Sequence, residues 1–164
     1  MKTVLITGGA GFIGFAATKF LLKKGYQIRC FDLAEQISRN EKKLKALQSN
    51  ENLEIVPGSI LDKTAVRCAL KGCNIVLHLA AMLGVKKTEQ NRLACMEVNV
   101  TGTENILSAA ISHDVNKFIF ASSSEVYGEP NNNPISEEDD TKGKSVYAVS
   151  KIAGEELVKG YHQL

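Results

Sequence analysis

Short, nearly unbroken apolar runs alternate along this chain with longer stretches in which apolar residues recur every three or four positions. The short runs are Thr3–Ile6, Gln27–Asp32, Leu53–Val56, Asn74–Leu79 and Lys117–Ala121, and each predicts a strand. Between them, Phe12–Lys24 has helical spacing. Ile13, Ala16, Ala17, Phe20 and Leu21 share one face, and Gly25 supplies a stop. Glu41–Ser49 predicts a polar helix, Asp62 caps another that runs to Leu70, and Leu93–Ser112 predicts a long one. Asn131–Gly143 is polar and turn-rich, hence a loop, and a last helix begins at Val146.

Five such alternations predict an α/β fold, a doubly wound parallel sheet of the Rossmann type with helices on both faces. Continuous apolar strands fit a sheet buried on both sides, where in–out alternation is not required. With no repeat and no linker in view, residues 1–164 read as one domain.

Composition narrows the function classes. The chain has 164 residues, 44% hydrophobic and 23% charged, with a formal net charge of +2. Lys42, Lys43 and Lys45 form the densest basic group, but no aromatic residue interleaves them for base stacking, so a nucleic-acid partner is not expected. Cys30, Cys68, Cys73 and Cys95 make no CxxC pair and have no clustered histidines, so no metal site is expected. Cysteines in apolar runs suit a reducing compartment, and the reading is cytoplasmic. The N-terminal apolar run is cut by glycines, and no run reaches the roughly 18 apolar residues of a membrane span.

The chemistry starts where the first strand ends, at Thr7-Gly-Gly-Ala-Gly-Phe-Ile-Gly14. Gly8, Gly11 and Gly14 give one three-residue spacing, and Gly9, Gly11 and Gly14 give G-x-G-x-x-G. A glycine turn between a strand and a helix lets a pyrophosphate approach the backbone and meet the helix N-terminus. Asp32 ends the second strand, where a carboxylate can accept from ribose hydroxyls and would repel a 2′-phosphate. That favours NAD over NADP. Arg39 is the nearest downstream base.

A second constellation follows the fifth strand. Ser122, Ser123, Ser124 and Glu125 should stand beyond the strand ends, on the rim that carries the glycine turn. Tyr147 and Lys151 lie one turn apart on the last helix and share a face. A tyrosine of pKa about 10 is a poor base at neutral pH, and a nearby ammonium should favour its phenolate.

The stretches TGGAGFIG (7–14), FD (31–32), HLAA (78–81), NVTGT (99–103), SSSEVYG (122–128) and YAVSK (147–151) together resemble the extended short-chain dehydrogenase/reductase family, in particular its NAD-dependent nucleotide-sugar epimerases, dehydratases and decarboxylases. The resemblance implies that Tyr147 deprotonates a sugar hydroxyl while hydride passes to NAD. Ser123 would assist, with Ser124 and Glu125 beside it, and Lys151 would bind the nicotinamide ribose. It implies a cofactor site of Gly8, Gly11, Phe12, Ile13, Gly14, Asp32, Ile60, Leu79, Ala80, Ala81, Asn99 and Ser122, with Tyr147 and Lys151. His78 reads as structural.

Two positions depart from the family pattern. Ser59 stands where an aspartate usually touches the adenine, and Ser124 stands where the dehydratases carry an acid. The order of expectation is therefore epimerase, then a decarboxylase of the UDP-glucuronate type, then 4,6-dehydratase. A non-catalytic NAD-binding module is the reading from another class. The partner implied is a nucleotide-diphosphate sugar, and the family implies a homodimer through two long helices. Family members run to roughly twice this length, so the chain reads as an N-terminal part that stops before the substrate-binding half, with little sugar turnover expected of it alone.

Overall fold

A computed structural model describes residues 1–47, 49–129 and 134–163. In chain order it contains β1 (Thr3–Thr7), α1 (Phe12–Lys23), β2 (Gln27–Asp32), α2 (Ala34–Arg39), α3 (Glu41–Lys45), β3 (Leu53–Pro57), α4 (Lys63–Leu70), β4 (Ile75–His78), α5 (Val85–Gln90) and α6 (Arg92–Met96). A π-helical turn (Glu97–Thr101), α7 (Gly102–Ser112), β5 (Lys117–Phe120), a 3₁₀ turn (Ser124–Tyr127) and α8 (Val146–His162) follow. Residues 131–133 of the expected loop and residue 48 of the expected polar helix lie outside the described residues. The chain divides into two compact units: Met1–Ala80 with Asn105–Ala121, and Ala81–Glu104 with the residues from Ser122 on.

The first unit is the sheet and its helices. Its five strands are parallel, in the order β3-β2-β1-β4-β5. Val4 and Ile6 pack with Ile28 and, from α1, Ala17, Leu21 and Leu22. Leu5 points to the opposite face and is equally buried, so both faces are covered. Register places Thr7 opposite Phe31 and His78, which brings the carboxyl ends of the three central strands level. At the edge, β5 alternates exposed and half-buried residues, and Ile119 is left exposed.

Local chemistry ends these elements where the sequence suggests. Asp62 accepts hydrogen bonds from the backbone N–H of Thr64 and Ala65 at 2.9 and 3.0 Å, satisfying two donors at the start of α4. Replacing Asp62 with alanine is expected to cost about 1 kcal/mol. A denaturant midpoint measurement checks this, and an unchanged midpoint would show the cap to be idle. Arg29 closes the far end of α4, donating to the carbonyls of Ala69 and Lys71 while pairing with Glu54 at 2.6 Å.

The second unit is helical. Here α8 packs against α5, α6, the π-helical turn and the 3₁₀ turn. The expected long helix over 93–112 is present but interrupted: five π-helical residues separate α6 from α7. The short polar helices α2 and α5 were not anticipated, because six-residue segments such as Ala34–Arg39 show no apolar period.

Candidate active site

The glycine turn belongs to the first unit. Gly8 has φ +69°, and a Cβ there would lie 2.9 Å from the Ala80 nitrogen. At Gly14 a Cβ would stand 2.2 Å from the Gly8 carbonyl oxygen, so α1 starts against the turn only because that atom is missing. No side chain caps α1. Phe12 and Ile13 point outward, 91% and 65% exposed, and leave its N-terminus open. Outside Gly11 a Cβ would meet only the Gly8 carbonyl.

Asp32 stands at the end of β2. One carboxylate oxygen accepts from the Ala10 N–H at 3.0 Å, the other from the Leu33 N–H at 2.8 Å. The acid therefore braces the glycine turn before any ligand arrives. Burial raises its pKa, and the N–H donors of Leu33, Ala10 and Gly11 pull the other way. Ser59 turns its hydroxyl inward to accept from the Leu61 N–H. Ile60 is buried, and its carbonyl accepts from Asn105. Leu79 and Ala80 carry β4 past Gly8, with both their N–H groups on the Thr7 hydroxyl.

In the second unit α8 places Tyr147 and Lys151 on successive turns. The Lys151 Nζ lies 5.8 Å from the centre of the Tyr147 ring. Ser123 starts the 3₁₀ turn, its hydroxyl accepting from the Glu125 N–H at 3.2 Å, and it lies near enough to the Tyr147 phenol to lower that group's pKa. Glu125 accepts from the Ser145 hydroxyl at 2.9 Å, and Ser145 in turn caps α8 by accepting from the Ala148 N–H. At the other end of this face, Ser122 donates to Glu155. Ser122, Ser123, Ser124, Ser136, Glu137 and Glu155 line most of a cleft of about 440 Å³.

Asn99 sits in the π-helical turn, 2% exposed. Its amide oxygen accepts from the Met82 N–H at 2.7 Å, and its nitrogen donates to the Met82 carbonyl and to Ser150. Ser150 donates to the Tyr147 carbonyl at 2.7 Å. Asn99 thus holds the segment after Ala81 and one turn of α8 together.

Electrostatics here differs from the expectation drawn from spacing. The Tyr147 pKa is raised: burial is the largest cause, the nearby Ser123 hydroxyl opposes it, and Glu125 and Cys95 add to it. Lys151 is itself brought down to about 8 by burial. Desolvation of both groups outweighs the attraction that their spacing suggested.

Ser145, Ser150 and Glu155 were not anticipated. Ser145 carried a visible cue, a serine just before a helical run. Among the described residues no group of three or more His, Cys, Asp or Glu side chains could hold a metal ion. The cysteines form no disulfide. Among the described residues no helix is long and apolar enough to cross a membrane.

Comparison with known proteins places the chain in a family. A family model described as GDP-mannose 4,6 dehydratase matches residues 5–164. The chain belongs to that family. Several of its relatives are named as UDP-sugar epimerases or decarboxylases. One curated relative, the UDP-N-acetyl-alpha-D-glucosaminuronate decarboxylase of Bacillus cytotoxicus, is 41% identical over 98% of this chain and 50% of its own length. The solved structure of the UDP-Glc/GlcNAc 4-epimerase from Campylobacter jejuni superposes with a TM-score of 0.92 at 26% identity, covering 99% of this chain and 50% of that one. The UDP-glucuronic acid 4-epimerase from Bacillus cereus, solved with UDP-glucuronic acid and NAD, gives 0.88 at 30% identity, covering 98% and 52%. The chain thus spans about half the length of the family members it matches.

Proposed function

We propose that this chain is the dinucleotide-binding and proton-transfer part of an NAD-dependent nucleotide-sugar epimerase that works through a 4-keto sugar. The observation that carries the reading is the half-buried Tyr147 phenol, with the Ser123 hydroxyl near enough to lower its pKa and Lys151 buried one turn away. The glycine turn supports it. Gly8 and Gly14 have no room for a side chain, α1 is uncapped and exposed at its start, and a carboxylate closes β2. These features fit NAD with Gly8, Gly11, Phe12, Ile13 and Gly14 at its phosphates and Asp32 at its adenine ribose.

Bound NAD supplies a hydride acceptor, then a donor, and adds a positive ring that the chain itself lacks. The residues handle protons and position. Tyr147 takes the proton of a sugar hydroxyl and later returns it. Ser123 donates to the substrate oxygen and shares that proton. Lys151 adds a cation on the same helical face.

One observation on Glu125 supports epimerisation over dehydration. Dehydration needs a free acid and base near Ser123, and Glu125 is committed to Ser145 at the start of α8. Epimerisation asks nothing more of it. Decarboxylation is the second reading, favoured by the relative from Bacillus cytotoxicus.

Calorimetric titration of the chain tests the proposal. NAD is expected to bind, and NADP at least about tenfold more weakly because a 2′-phosphate would face Asp32. UDP-glucose added to the NAD complex is expected to yield traces of NADH that vanish in Tyr147→Phe. A chain that binds no dinucleotide overturns the reading. NADH formation unchanged in Tyr147→Phe would remove the assigned base.

A further inference from the structure

The end of β1 holds a proton arrangement that the proposed chemistry does not use. Thr7 and His78 are opposite each other in register, both at most 1% exposed, and the Thr7 Oγ1 lies 2.6 Å from the His78 Nδ1. The same hydroxyl accepts from the Ala80 N–H at 3.2 Å and from the Leu79 N–H at 3.2 Å, the latter shared with the Thr7 carbonyl at 3.1 Å. A hydroxyl has two lone pairs and one proton. With both lone pairs engaged, the proton has one place to go.

We infer that Thr7 donates to the Nδ1 of His78, which fixes the imidazole as its Nε2–H tautomer, and that this pair is the positioning device for the Leu79–Ala80 backbone beside Gly8. The ring cannot readily turn to offer its other edge. Phe118 and Phe120, both on β5 and two residues apart, hold it with centroids 5.9 Å away on each contact. The Ala80 nitrogen stands where a Gly8 Cβ would come within 2.9 Å. A shift of this backbone therefore alters the wall of the glycine turn directly. The affinity consequence rests on the dinucleotide reading above, whereas the tautomer does not.

Long-range 1H–15N correlation spectra of the labelled chain read the tautomer. Nδ1 of His78 is expected to resonate as an unprotonated ring nitrogen and Nε2 as a protonated one. Thr7→Val keeps the shape but leaves the part-buried Ala80 N–H without its acceptor, while the Leu79 N–H keeps only the Thr7 carbonyl. It is expected to weaken NAD about tenfold and to release the Nδ1 signal to a mixed position. Thr7→Ser is expected to restore both readouts. A proton on Nδ1 in the wild type overturns the assignment even if Thr7→Val does not fold. Folded Thr7→Val with unchanged NAD affinity overturns the positioning role. A wild type that binds no dinucleotide overturns the functional reading and the affinity claim together, while the spectrum still decides the tautomer.

Discussion

Gly14→Ala is expected to lower the melting temperature of this chain by roughly 6–12 °C and to abolish dinucleotide binding. An alanine methyl would stand 2.2 Å from the Gly8 carbonyl oxygen and 2.7 Å from the Gly9 Cα. Both are backbone atoms, so no side chain can swing aside. The start of α1 must separate from the turn, and overpacking of this kind costs about 3 kcal/mol. For a chain of 164 residues, each kcal/mol moves the midpoint by roughly 2–4 °C. Gly160→Ala is the control, because a methyl there meets nothing within 4 Å on a helix. It is expected to leave the melting temperature unchanged or slightly raised. Calorimetry of the two variants decides the matter, and equal melting temperatures would show that the helix start yields at little cost.

The second large effect concerns a buried charge. Lys151→Met is expected to stabilise the fold by about 2–3 kcal/mol at pH 7 while removing the cation beside Tyr147. Burial brings the Lys151 ammonium from its ordinary 10.5 to about 8. Between those values the unfolded chain holds the proton more firmly than the native one, so wild-type stability rises as pH climbs from about 8 to 10.5. Below 8 the full cost of burying the ammonium is present. The advantage of methionine should therefore be greatest at pH 7 and largely gone by pH 10.5. Denaturant unfolding of both proteins at the two pH values measures this. A methionine variant destabilised equally at both would show that contacts of the lysine, rather than its charge, govern the site.

Much of the fold was legible in the sequence because strands buried on both faces need only be apolar. Val4, Leu5 and Ile6 announce β1 without any pattern, and the glycines after it mark a turn that few other residues could make. The interrupted helix was not legible. Over five residues, a π-helical period and an α-helical one predict nearly the same apolar positions, so Glu97–Thr101 looked continuous. The site shows the same division. The pairing of Tyr147 with Lys151 follows from helical geometry and the run Ser122–Glu125 from its place after β5, whereas Ser123 within that run was singled out by the family resemblance alone. The direction of the tyrosine pKa does not, because spacing shows which charges are near but not how much water burial removes. Nor could spacing show that Glu125 is held by Ser145, since the two lie 20 residues apart in sequence with no periodic element joining them.

The Asp32 carboxylate has a consequence for how this sequence can drift over evolutionary time. Its partners at positions 10 and 33 are main-chain donors, which any residue but proline provides. Leu33 is exposed and Ala10 is buried, so the first is open to exchange for almost any type and the second only for small ones. Selection on the bracing of this turn therefore falls on a single acidic side chain, while its two neighbours in the contact leave little trace of their part in it.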